Sequence, residues 1–174
     1  ISISGNEYTL GISLSGTPNG SETLTVNPVS SSIYDLAGNV ASTSQSNNSI
    51  SLNDKLGPTM TISSSTVNSG DTSNDSTISL TFTSSESTIN FIEDDITISG
   101  GSLSSFSGSG TTYTATLTPS GEATYSISVA QNTFTDSAGN SNSVSNTFTW
   151  TYDSTSPTMT ISSVSYTHLR AHET

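Results

Sequence analysis

The chain has 174 residues, 14 of them acidic and 2 basic, a formal charge of −12, and no cysteine. These numbers exclude disulfide staples and thiolate metal sites, the basic stripe of a nucleic-acid surface and a polybasic membrane contact. No run approaches the roughly 18 consecutive apolar residues that a membrane span needs, and serine plus threonine fill about 70 positions, well above an average composition.

In chain order, the first readable pattern is Leu24, Val26 and Ile33 followed by Asp35-Leu36-Ala37-Gly38-Asn39. Next come Gly57-Pro58-Thr59-Met60-Thr61-Ile62-Ser63-Ser64, an apolar–polar alternation at Ile78, Leu80 and Phe82, and the apolar pairs Phe91–Ile92 and Ile96–Ile98. Alternation resumes at Tyr113, Ala115 and Leu117, at Tyr125, Ile127 and Val129, and at Phe148, Trp150 and Tyr152. A period of two places one face of each segment on a core and the other in water, so these segments predict about seven short strands. Threonine suits the wet face because it is β-branched and polar. Turn signals fall between the strands at Ser69-Gly70-Asp71, Gly100-Gly101, Gly108-Ser109-Gly110, Pro119-Ser120-Gly121 and Ala138-Gly139-Asn140. A disordered chain has no reason to keep aromatic residues two apart on separate segments, which weighs against disorder despite the polar composition.

The chain also repeats itself. Gly57–Ser64 returns as Ser156-Pro157-Thr158-Met159-Thr160-Ile161-Ser162-Ser163, 99 positions later. Asp35–Asn39 returns as Asp136-Ser137-Ala138-Gly139-Asn140 at an offset of 101, with Leu24, Val26 and Ile33 matching Tyr125, Ile127 and Phe134. A period near 100 is too long for a solenoid and is the size of an independent bead. The expected organisation is the back part of one copy at residues 1–54, a whole copy at 55–155 and the start of a third at 156–164. The sequence reads as a window cut from a longer array. Residues 165–174 abandon the repeat and read as a non-native adapter or assembly scar. His168 and His172 are spaced i, i+4 there, but the zinc-protease carboxylate is missing between them.

Five ordered stretches now carry a family resemblance: Asp153-Ser-Thr-Ser-Pro157-Thr-Met-Thr-Ile161, Ser85-Glu86, Asp94-Asp95-Ile-Thr-Ile-Ser-Gly-Gly, Gly108-Ser-Gly-Thr-Thr-Tyr113-Thr-Ala-Thr-Leu117 and Asp136-Ser-Ala-Gly-Asn140. Together they resemble the bacterial Ig-like repeats of large secreted adhesins and surface proteins, and the match covers nearly all of residues 1–164. The resemblance implies an all-β fold of tandem seven-stranded Greek-key sandwiches, a spacer role on the bacterial surface or outside the cell, and no enzymatic activity. Partners are then the neighbouring repeats of the same chain, with glycan or cell-surface targets met through other domains. Export in an unfolded form is part of the same expectation.

Catalytic motifs are absent from the sequence. Outside the tail no histidine can serve a serine, no G-x-S-x-G elbow occurs, and the adjacent Glu93, Asp94 and Asp95 do not give a separated acid and nucleophile. Lys55, the sole lysine, stands in one linker only, which disfavours an internal cross-link.

Calcium is the chemistry the implied strand order points to. In an Ig-type order, loops B–C and F–G share the upstream pole. With Ile78–Thr83 as strand B and Val144–Tyr152 as strand G, Glu86, Asp136 and Asn140 meet the linker residue Asp54 there. Ca²⁺ takes 6–8 oxygen ligands, and such a set supplies carboxylates and carbonyls. Asp153 is the counterpart of Asp54 for the next junction, with Asp71, Asp75 or Glu122 within reach of it. Tight-turn chemistry reads the same residues equally well: Asp accepts backbone N–H bonds and Gly supplies a positive φ, while Asp54 and Asp153 begin linkers before a proline. The rival function is a binding module for a glycan or cell surface. That needs distinctive exposed aromatics, whereas Tyr113 and Trp150 fall on core-alternation positions.

Overall fold

A computed structural model describes residues 2–4 and 7–163; the segment read as a scar, with His168 and His172, lies outside them. No α-helix occurs among the described residues. The whole bead carries seven strands: β5 (Met60–Ser64), β6 (Thr72–Ser73), β7 (Ile78–Thr88), β8 (Ile96–Ile98), β9 (Ser102–Thr118), β10 (Ala123–Val129) and β11 (Phe148–Tyr152). They form two sheets, β5-β7-β9 and β6-β11-β10-β8, antiparallel except where β6 runs parallel to β11. The all-β sandwich expected from the alternation is therefore present.

The alternating residues are the core. Ile78, Leu80, Phe82, Leu117, Ile127, Val129, Phe148 and Trp150 are all fully buried, with Met60, Ile62, Tyr113 and Tyr125 beside them. Packed aromatic and branched side chains of this kind contribute about 1.5–3 kcal/mol each through burial. Tyr125 adds a corner: its hydroxyl donates to Gly121 O (2.6 Å) and accepts from Ser120 N (2.9 Å) and Gly121 N (3.1 Å). This closes the turn between β9 and β10 in the manner of a tyrosine corner.

Three expectations are corrected. Phe91–Ile92 is a loop, followed by a single 3₁₀ turn at Glu93–Asp95. Phe91 is buried all the same, because its ring packs against Phe82, Tyr113 and Phe134 at centroid distances of 5.9, 5.0 and 5.0 Å. The seventh strand is instead the polar pair Thr72–Ser73. The last strand begins at Phe148, since Val144 is exposed and Asn146 leaves the ladder to bond the backbone of Ile62, accepting from its N–H (2.7 Å) and donating to its carbonyl (3.0 Å).

The expected turn at Gly108–Gly110 lies inside β9, which folds back on itself. Ser107 Oγ lies 3.2 Å from Thr114 Oγ1, and Phe106 stacks on Tyr113 at 5.9 Å. Seven residues of straight strand would separate such groups by roughly 23 Å. Gly108 permits the reversal, because a Cβ there would sit 2.4 Å from Thr112 O at a φ of +135°.

Upstream, β1 (Ser2–Ser4) pairs with β2 (Glu7–Thr9), and β3 (Thr23–Thr25) pairs with β4 (Ser49–Ser51). The β3–β4 register, Leu24 opposite Ile50, repeats that of β10–β11, Tyr125 opposite Trp150.

Candidate functional site

The Asp-x-Ala-Gly-Asn motif folds identically in both copies. Asp136 Oδ1 accepts from Asn140 N (2.8 Å), Asp136 Oδ2 accepts from Asn140 Nδ2 (2.8 Å), and Asp136 N donates to Asn140 O. Asp35 makes the same three bonds with Asn39, at the surface. The turn therefore forms with or without neighbours, and turn chemistry is sufficient to explain the motif itself. Asn140 spends its amide on Asp136 and on Leu56 O (3.5 Å), so it holds an aspartate and a linker carbonyl in place.

What differs between the copies is the company. Asp136 is buried, and carboxylate oxygens of Asp54, Glu86 and Asp136 lie within 4.8 Å of one another. Asp54 reaches this point because its Oδ1 accepts from Leu56 N (2.9 Å), turning the linker. Glu86 arrives differently from the loop position expected. Strand β7 continues to Thr88, with its pairing to β9 shifted between Thr83 and Thr88, and Glu86 sits in that irregular stretch. The buried Thr88 hydroxyl, 2.7 Å from Tyr113 Oη, anchors the far end.

Three carboxylates with no basic partner among them raise their own electrostatic problem. Glu86 is pushed above its ordinary 4.5, first by burial and then by the charges of Asp54 and Asp136 and a hydrogen bond with Asp54. Burial also pushes Asp136 upward, but the Asn140 amide and the N–H groups of Asn140, Ala138 and Gly139 outweigh it and hold Asp136 below 3.8. A raised carboxyl binds its proton more tightly when folded, so Glu86 favours folding below about pH 4.5 and that contribution is lost as pH rises through its raised value. Asp136 contributes in the opposite sense: its stability is present above its ordinary value and lost as pH falls. We expect Glu86→Gln, in chelator, to melt higher than the parent at pH 7, with the gap closing below about pH 4. Thermal unfolding across pH checks this, and a variant that melts lower at pH 7 would contradict the repulsion.

The donor set fits a hard cation. All three groups offer carboxylate oxygen, the donor that Ca²⁺ prefers. Ser84, on the same strand face as Glu86 and two residues before it, carries the one buried side-chain polar atom without a partner among the described residues. No other group of three acidic or imidazole side chains converges in this way among those residues. Asp71 is engaged in its own turn, its Oδ2 accepting from Asn68 N (2.8 Å) and Asn68 Nδ2 (3.1 Å). Asp153 Oδ1 accepts from Thr155 N (2.9 Å), repeating the Asp54–Leu56 turn at the next linker. Asp75 accepts from Ser73 Oγ (2.8 Å), and Glu122 clasps Ser154 and Thr155.

Both sides hold the first linker. Lys55 N donates to Pro18 O (2.9 Å) and Leu52 N to Glu22 O (2.9 Å) upstream, while Ser143 N donates to Pro58 O (3.0 Å) downstream. Gly57 is pressed so close to Ser141 that an added Cβ would lie 2.0 Å from its carbonyl oxygen. Sequence reasoning missed this role of Gly57, and also Asn142, a fully buried side chain that fastens the loop carrying Asp136. The glycine carried a signal, since a linker Gly before Pro needs a reason. Asn142 carried none.

A family model described as bacterial Ig-like domain matches residues 54–152, more than half of the chain. No curated protein and no solved structure matches it.

Proposed function

This chain belongs to the bacterial Ig-like domain family, and on that footing we propose that it is a structural extender in a bacterial surface or secreted protein of adhesin type, its beads stiffened by Ca²⁺ at their junctions. The observation that carries the reading is the linker. Residues 53–58 are bonded to the turn at Pro18 on one side and to the loop at Ser141–Ser143 on the other. A hinge meant to swing freely would leave those backbone groups to water. Family membership supports a non-catalytic, surface-exposed role, and among the described residues no helix is long and apolar enough to cross a membrane.

A spacer also explains where the aromatics are. Every aromatic ring of residues 57–152 is buried or half-buried, so the bead presents no stacking platform to a sugar. Contact with a host cell then belongs to other parts of the parent protein.

Asp54, Glu86 and Asp136 would hold the cation. When bound, Ca²⁺ supplies positive charge that neutralises their repulsion and ties the linker to the irregular end of β7 and to the loop that carries Asp136. The residues do the rest. Asn140 fixes Asp136, the Asp54 turn sets the linker path, and Glu86 is delivered by the irregular end of β7. At 100 times its dissociation constant such an ion adds about 2.7 kcal/mol, several degrees for a bead of this size. The test is thermal unfolding of the chain in excess Ca²⁺ and in chelator. The expected result is a rise in the parent that vanishes in Glu86→Gln, and an unchanged melting temperature in the parent would remove calcium from the mechanism.

A further inference from the structure

The turn that grips the first linker from upstream is Thr17-Pro18-Asn19-Gly20-Ser21-Glu22, and the whole bead carries its counterpart as Thr118-Pro119-Ser120-Gly121-Glu122. Asn19 stands where the bead has Ser120, and Asn19–Gly20 is the one Asn-Gly step in the sequence. The difference is chemical. An asparagine side-chain amide can be attacked by the backbone nitrogen of the next residue, and glycine leaves that nitrogen unshielded. Serine has no carbonyl to attack.

The local geometry favours the attack. Asn19 and Gly20 are exposed, and the Gly20 N–H makes no hydrogen bond among the described residues. Asn19 Oδ1 accepts from Ser21 N (3.1 Å) and from the Ser21 hydroxyl. Two donors are thus aimed at the oxygen on which negative charge develops as the nitrogen adds. Glu22 accepts from Asn19 N (3.0 Å) and fixes the backbone of the attacked residue. Asn39 and Asn140 differ on both counts: Val40 and Ser141 follow them, and their amide nitrogens are held by Asp35 and Asp136.

We propose that Asn19 is a self-modifying site, a succinimide-forming asparagine whose conversion to isoaspartate releases the linker from its upstream turn. The Gly20 nitrogen bonds to Asn19 Cγ, the Cγ–Nδ2 bond breaks, and Nδ2 leaves as ammonia with the proton that Gly20 N gives up. Water then opens the cyclic imide. Attack at Cγ gives aspartate, and attack at the Asn19 backbone carbonyl gives isoaspartate, with the main chain rerouted through Cβ and Cγ. The net change is water taken up and ammonia lost, and nothing is oxidised. Isoaspartate adds a methylene to the main chain between Pro18 O, which accepts from Lys55 N (2.9 Å), and Glu22 O, which accepts from Leu52 N (2.9 Å). The turn has no room to absorb it, since even a Cβ added to Gly20 would lie 3.2 Å from Asp54 Cβ. Aspartate keeps both the chain length and an oxygen for Ser21, so the isomer decides the outcome. The inference rests on the linker contacts and needs no bound ion.

The test ages the 174-residue chain at mildly alkaline pH and follows each asparagine by peptide mapping, with an isoaspartyl methyltransferase reporting the isomer. Asn19 is expected to convert about tenfold or more faster than the exposed Asn47 and Asn132, which precede Asn48 and Thr133. Ser21→Ala is expected to slow the conversion several-fold in the folded chain and to leave it unchanged in denaturant, because only the fold positions that donor. In the isoaspartate fraction, amide exchange at Leu52 and Lys55 is expected to quicken about tenfold. Aged Asn19→Ser, which carries the bead's own residue, and fresh Asn19→Asp are expected to exchange as the fresh parent does. Conversion of Asn19 at the pace of Asn47 and Asn132, an unchanged rate in folded Ser21→Ala, or equal exchange in fresh and aged parent would overturn the proposal. So would faster exchange in aged Asn19→Ser, which would assign the release to another residue, or in fresh Asn19→Asp, which would assign it to charge alone.

Discussion

Trp150→Ala is expected to lower the melting temperature of the whole bead by roughly 15–30 °C. The indole is fully buried at the centre of β11, stacked on Tyr125 at 5.8 Å and tilted against Tyr152 at 5.8 Å. Truncating a buried Trp to Ala costs about 3–5 kcal/mol, through lost transfer energy and the cavity left behind. A second loss follows from the ring nitrogen, which donates to Ser73 Oγ at 2.9 Å. That hydroxyl donates onward to Asp75 Oδ2, so the indole also orients the short strand β6 against the sheet. A domain of this size has about 5–15 kcal/mol in total, and the variant therefore keeps little margin. Trp150→Phe separates the two effects. It restores most of the packing but leaves Ser73 without its donor, and its melting temperature should fall between parent and Trp150→Ala. Circular dichroism follows both unfolding transitions. A Trp150→Ala protein that melts within a few degrees of the parent would mean the ring is not a core residue.

The same residue shows how far the sequence could be read. Alternation alone places Trp150 in the core, because a strand with one wet face must send every second side chain inward. Phe91 defeats that logic: it lies in a loop and is buried by four other rings, those of Phe82, Phe106, Tyr113 and Phe134, which converge on it from three separate segments. Thr72–Ser73 defeats it too, since two polar residues pairing parallel to β11 leave no periodic trace. The convergence of Asp54, Glu86 and Asp136 was legible because strand order fixes which loops share a pole. The sequence pattern nevertheless puts Glu86 in a loop, for a physical reason. Apolar alternation in β7 stops at Phe82, while the backbone continues through Ser84 to Thr88, whose buried hydroxyl replaces the apolar contact. The motif offers Asn140 as an oxygen donor, whereas the structure gives its amide nitrogen to Asp136 and Leu56.

Asn142→Asp should be the most damaging change of a single atom in the loop that carries Asp136. Asn142 is 2% exposed and uses both ends of its amide. Its Oδ1 accepts from Thr133 N (2.8 Å) and Phe134 N (3.0 Å), and its Nδ2 donates to Ala130 O (2.7 Å) and Ser143 O (2.8 Å). A carboxylate keeps the two acceptor contacts and turns the other two into buried oxygen facing carbonyl oxygen. Leaving such groups unpaired costs about 1–3 kcal/mol each, more when a charge is involved. The ionised form is disfavoured by burial and by those carbonyls, so the new carboxyl titrates above the ordinary Asp value near 3.9. The sign follows from linkage: the folded state binds the proton more tightly, so stability is regained as pH falls below about 4 and lost as pH rises through the raised value. The wild-type protein has no titrating group at position 142, so this recovery should appear as a narrowing of the gap between variant and parent as pH falls. The first copy sharpens the argument, because Ala41 occupies this place and still donates its N–H to Ile33 O. The backbone turn thus forms without the side chain where water can reach it. In the whole bead Phe134 seals the loop against the core, and only a side chain with two donors and two acceptors satisfies the groups trapped there. Asn142→Ala should therefore destabilise by about 2–4 kcal/mol without any dependence on pH of its own. Denaturant unfolding of the two variants at pH 4 and pH 7 distinguishes a lost set of hydrogen bonds from a buried charge.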